Sequence, residues 1–69
     1  MANDQITRAF TYHPPKPGQP EKYVRIRDMA KEYAEEITRL CPDTYERGFA
    51  LAKLEECVMW ANASIARNE

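Results

Sequence analysis

A proline at position 42 separates two stretches in which apolar residues return every three or four positions. From Glu21 to about Cys41 the series Tyr23, Ile26, Ala30, Tyr33, Ile37 and Leu40 has spacings of 3, 4, 3, 4 and 3. That is one face of an amphipathic helix with a narrow, coiled-coil-like seam. From about Thr44 to Arg67 a second helix carries a seam at Leu51, Leu54, Val58, Ala61 and Ile65. Pro42 ends the first helix, and Asp43, with Glu46 three residues on, opens the second in a capping-box-like arrangement. So short a linker between two long helices forces them antiparallel. The fold class is therefore all-α, an antiparallel helical hairpin.

The second helix has more apolar surface than one partner can cover. Besides its first seam it carries Tyr45, Phe49, Ala52, Met59, Ala63 and Ala66, interrupted by Glu56. A chain with a single helical partner for this helix needs another copy to bury the second stripe, which predicts a homo-oligomer. The alternative is that the N-terminal arm folds back over it and leaves a monomer. Length favours the oligomer, since 69 residues bury only about 60% of their unfolded surface and need a staple, a metal or other subunits. Cys41 and Cys57 do not form a secreted disulfide framework and are expected as buried structural thiols. One histidine, His13, and cysteines sixteen residues apart give no zinc spacing.

Residues 1–20 form a single extended arm in this reading, because Pro14, Pro15, Pro17, Pro20 and Gly18 oppose regular helix. Phe10 and Tyr12, at alternate positions, share one side of an extended chain. They either cap the open end of the helical pair or present aromatic faces to a ligand. Pro20 and Glu21 suit the first turn of the following helix.

Charge limits the partners. The net charge is −1 and the pI about 5.8, with no strongly basic segment, which disfavours a binder of long DNA or RNA. The run Cys57–Ala61 is far short of the roughly 20 apolar residues of a membrane span. Without a signal-peptide pattern at the start, a cytosolic protein is expected. A small anion held by a few placed cations remains open.

Catalysis finds little support. There is no Gly-rich phosphate loop, nucleophile elbow or metal cluster, and His13 between Tyr12 and Pro14 has no sequence-adjacent carboxylate to orient it. Binding has better grounds: Tyr12 and Phe10 offer stacking faces, and Lys16, Arg25, Arg27, Lys31 and Arg67 offer cations toward the open end of the hairpin. An antiparallel hairpin leads one to expect Arg27 and Arg67 on neighbouring turns; ordinary surface charge is the competing reading. Asn62 and Ser64 interrupt a helix that would favour Ala or Leu there, so a polar group should meet them, either a ligand or an interhelical hydrogen bond fixing register.

Two blocks carry a family resemblance. Phe10-Thr11-Tyr12-His13-Pro14-Pro15-Lys16 and the run from Leu54 to Asn68, with Met59-Trp60-Ala61-Asn62-Ala63-Ser64-Ile65-Ala66-Arg67-Asn68 at its heart, resemble the phage anti-CBASS cyclic-oligonucleotide sponges. CBASS is a bacterial defence in which a cyclase makes cyclic nucleotides that activate a cell-killing effector. The resemblance implies a helical hairpin assembled into a homohexamer, acting in the cytoplasm of the infected host. It implies a non-enzymatic protein without cofactor that sequesters cyclic dinucleotides such as cGAMP, and in some members cyclic trinucleotides, without cleaving them. By matching motif positions, Tyr12 would stack on a base of the dinucleotide, with His13, Pro14 and Lys16 shaping that pocket and Arg27 meeting phosphate. Arg25 and Lys31 stand as alternatives for Arg27. Asn62 and Arg67 would line the trinucleotide site near the assembly axis. A small interaction module that docks a host partner through its second helix is the competing function.

Overall fold

A computed structural model describes residues 2–69, with side chains from Asp4 onward. Its order is α1 (Ala2–Phe10), α2 (Gln19–Leu40) and α3 (Tyr45–Asn68), with no strand among the described residues. Met1, the first residue of the expected arm, lies outside the described residues.

α1 corrects the reading of residues 1–20 as one extended arm. The prolines act locally: each fixes its own backbone and restrains the residue before it, which stops a helix from His13 onward but not one ending at Phe10. Asp4 in the first turn and Arg8 in the last complement the helix dipole of α1. Residues 11–18 then form the non-helical link to α2.

The turn between α2 and α3 follows from Pro42. The residue before a proline is driven out of helical geometry, and Cys41 is extended at φ −101° and ψ 141° while its N–H still donates to the Ile37 carbonyl at 2.9 Å. The cap of α3 is Thr44, not Asp43: Thr44 Oγ1 accepts from the Arg47 N–H at 3.4 Å. Asp43 instead pairs with the Arg47 guanidinium at 2.8 Å. Arg47 also donates to the carbonyls of Thr38 and Cys41 at 3.2 and 3.3 Å, tying the end of α2 to the start of α3. At the other end of α2, Gly18 caps the helix at φ +87°, a left-handed conformation that a Cβ would strain.

The seam of α2 is half-buried at Tyr23, Ile26, Ala30, Ala34 and Ile37 and meets α3 at Leu51, Leu54, Val58, Ala61 and Ile65. Ala34 takes the place expected for Tyr33, which turns outward with Met29. No apolar side chain is fully buried, and Gln19 is the one residue classed as buried among those described. Tyr45, Phe49 and Met59 of the second α3 stripe stay more than 60% exposed, Tyr45 and Phe49 meeting edge to face at 5.9 Å. Arg8 of α1 meets the far end of that stripe, beside Trp60 and Ala63. Both cysteines are exposed thiols rather than the buried ones expected: Cys41 lies just past the end of α2, and Cys57 borders an open groove at the edge of the seam.

The shape is correspondingly open. The radius of gyration is 15.1 Å, against about 11 Å for a compact chain of this length. The accessible surface is 5781 Å², about 1,300 Å² more than a compact monomer of this mass exposes.

Candidate functional site

Residues 11–18 carry the first group of candidates, and both ends of this link are pinned. At its start, His13 Nε2, bearing the proton in this arrangement, donates to the Arg8 carbonyl at 2.8 Å and so satisfies an orphan acceptor of α1. At its end, the Lys16 N–H donates to Gln19 Oε1 at 2.9 Å while the Gln19 N–H donates back to the Lys16 carbonyl at 3.0 Å. Gln19 Nε2 reaches the Ile65 carbonyl at 3.4 Å and Glu69 Oε1 at 3.5 Å, which fastens this turn to the last turn of α3. Lys16 Nζ donates to the main-chain carbonyl of Glu69, and Lys22 pairs with the Glu69 carboxylate. Cations at a helix C-terminus are favoured by its partial negative charge.

Beside the first pin, Tyr12 is 81% exposed and Phe10, the last residue of α1, 86%, so neither caps the helical pair within this chain. Pro14 is exposed as well. The His13 contact to the Arg8 carbonyl closes a short turn around Tyr12, and a flat aromatic on an anchored support loses little entropy when a second ring stacks on it. The Glu69 carboxyl is held below its ordinary value, first by the hydrogen bond from Lys22, then by Gln19 and the nearby lysine charges, against a desolvation that acts the other way.

Arg27 does not join this group. It lies on the face of the hairpin with Lys31, Leu51, Leu54 and Glu55, eight residues and about 12 Å of helix beyond Gln19. Nor is it on a turn neighbouring Arg67. Lys22 already faces Glu69 at the end of α3, so antiparallel packing carries Arg27 back toward Glu55. An open apolar groove of about 410 Å³ runs between the helices, lined by Ile26, Met29, Tyr33, Leu54, Cys57 and Val58.

Asn62 and Arg67 occupy different faces of α3. Five residues correspond to about 500° of helix, which leaves them roughly 140° apart. Arg67 lies over the Trp60 ring, 5.9 Å from its centroid, in a cleft that does not include Asn62. Asn62 is half-buried, and its Oδ1 is shielded from solvent without a hydrogen-bond partner. Such an oxygen costs about 1–3 kcal/mol unless something outside the chain donates to it.

Gln19 and Arg8 are the residues that sequence reasoning missed. Their partners lie 46 and 60 positions away, beyond the reach of any local pattern.

Residues 2–66 match the family described as Acb2/Tad1, hairpin domain. The chain belongs to this family. The Acb2/Tad1 hairpin family is that of the anti-CBASS cyclic-oligonucleotide sponges, which are binding proteins. The matched segment contains Tyr12, His13, Pro14, Lys16, Arg27 and Asn62 and stops one residue short of Arg67. No curated protein and no solved structure matches the chain. As for membranes, no helix among the described residues is long and apolar enough to cross one.

Proposed function

We propose that this Acb2/Tad1 hairpin protein sequesters cyclic oligonucleotides intact, cyclic dinucleotides such as cGAMP foremost, and so withholds them from a CBASS effector in an infected bacterial cell. The observation that carries this reading is Tyr12, an exposed ring in a link anchored at both ends, by His13 on the Arg8 carbonyl and by Lys16 on Gln19. A stacking platform of this kind contributes about 1–3 kcal/mol per base. Lys16, with His13 and Pro14, forms the rest of the dinucleotide pocket in this reading. Asn62 and Arg67 serve a cyclic trinucleotide.

Assembly into a homohexamer is part of the proposal. A single chain leaves Arg27 far from Tyr12, so a neighbouring copy brings an Arg27 to each Tyr12. The surplus of about 1,300 Å² and the uncovered Tyr45, Phe49 and Met59 support this, since a standard interface removes about 800 Å² from each partner. Sequestration needs tight, reversible binding without chemistry, and few cations suffice for a ligand with two phosphates.

The test is calorimetry with a panel of cyclic di- and trinucleotides, followed by chromatography of the recovered ligand. Binding with unchanged ligand is expected. Linear products, or a chain that binds a host protein through α3 and no nucleotide, would overturn the reading.

A further inference from the structure

α1 brings a guanidinium to the end of α3. Arg8 Nη2 donates to Asn68 Oδ1 at 2.9 Å, and Asn68 Nδ2 donates to the Ser64 carbonyl at 2.8 Å. The second bond fixes which end of the amide faces outward, so Asn68 presents its oxygen to Arg8. Arg67 stands on the same cleft, against the face of Trp60. Two guanidiniums, an indole and a hydroxyl from Ser64 thus share one opening of about 230 Å³. This is smaller than the ~300–1,000 Å³ of pockets that enclose a whole drug-sized ligand, and suits one phosphate with the ring attached to it.

Electrostatics make the arrangement informative. Among the described residues neither Arg8 nor Arg67 forms an ion pair with a carboxylate; the ion pairs fall on Lys22, Arg39, Arg47 and Lys53. Two like charges are gathered at the C-terminal end of α3, where the Glu69 carboxylate is taken by Lys22. Arginine forks match phosphate oxygens, and an indole that is 62% exposed offers a stacking face beside them.

We infer that Arg8 is a second phosphate-contacting residue of the Arg67 site, with Trp60 stacking on the attached base, so that α1 completes a phosphodiester-and-base subsite. This rests on the sponge reading for the ligand, and it adds two residues that the sequence did not assign. Asn68 is the positioning residue for Arg8.

Trp60, the sole tryptophan, reports the site directly. Its fluorescence is titrated in the full chain with cyclic tri-adenosine monophosphate, AMP and inorganic phosphate. A saturable response is expected, tightest for the cyclic trinucleotide. Arg8→Ala should weaken it at least tenfold and Arg8→Lys by less, because lysine keeps the charge and loses the fork. Cyclic dinucleotide affinity should stay as in the parent chain. A lower melting temperature with unchanged trinucleotide affinity would assign Arg8 to the α3 dipole alone and overturn the inference, as would a tighter response to AMP or phosphate. If cyclic dinucleotides bind and Trp60 is silent, the inference fails by itself. If the parent chain binds no cyclic nucleotide, the sponge reading fails.

Discussion

Gln19 Nε2 donates to the main-chain carbonyl of Ile65 at 3.4 Å, joining the first turn of α2 to the last turn of α3. Its Oε1 accepts from the Lys16 N–H, so one amide fixes both the link that bears Tyr12 and the open end of the hairpin. The amide is buried and matched on both sides, which explains why the one buried residue among those described is polar.

Gln19→Ala should therefore cost about 1–3 kcal/mol, since the Lys16 N–H loses its acceptor while the Ile65 carbonyl keeps only the Glu69 N–H. Hydrogen exchange at the Lys16 amide checks it, with protection lost in Gln19→Ala. Gln19→Glu keeps the acceptor and loses the donor, so it should retain that protection while destabilising the junction with α3. Unchanged exchange in Gln19→Ala would remove Gln19 from this role.

Arg47 should be the costly residue of the interhelical turn. Its side chain is 19% exposed and its guanidinium serves the carbonyls of Thr38 and Cys41 at the end of α2, so Arg47→Ala should lose about 1–2 kcal/mol by denaturant melting. Asp43, 91% exposed, contributes a surface pair, and Asp43→Ala should cost no more than about 1 kcal/mol. Equal losses in the two variants would mean that the carbonyl contacts carry no weight.

The Glu69 contact should weaken in acid. Its carboxyl is lowered in the folded chain, chiefly by Lys22, so its stabilising contribution is present above the unfolded carboxylate range and disappears as pH falls through the lowered value. A side-chain NMR titration of Glu69 should show a midpoint below that of an ordinary glutamate, moving upward in Lys22→Ala. A midpoint indifferent to Lys22 would contradict the assignment.

The hairpin was legible because apolar period, proline and a short linker act within a few residues of one another. The spacing around Leu51, Leu54, Val58, Ala61 and Ile65 identifies the seam that α2 covers. α1 was not legible, because the prolines that oppose helix lie from Pro14 onward and do not touch the residues up to Phe10. Tyr12, His13, Pro14 and Lys16 share the link between α1 and α2, as their adjacency in sequence suggests. Arg27 and Arg67 do not meet, because the antiparallel register fixed by Lys22 and Glu69 separates them, and register is a property of the pair of helices rather than of either sequence.

Tyr12→Ala should weaken cyclic dinucleotide binding by roughly 5- to 150-fold, the equivalent of one lost stacking contact, and leave the oligomeric state alone. Calorimetry and light scattering read the two effects separately. Affinity that survives the loss of the ring would place the dinucleotide elsewhere.

Sequestration by an assembly of these chains is tested most directly by native mass spectrometry of the protein mixed with cyclic di- and trinucleotides. Sequestration predicts a homohexamer carrying uncleaved ligand, with the dinucleotide lost on Tyr12→Ala and the trinucleotide lost on Arg67→Ala. A monomer without bound nucleotide, or a chain that returns linear products, would contradict it.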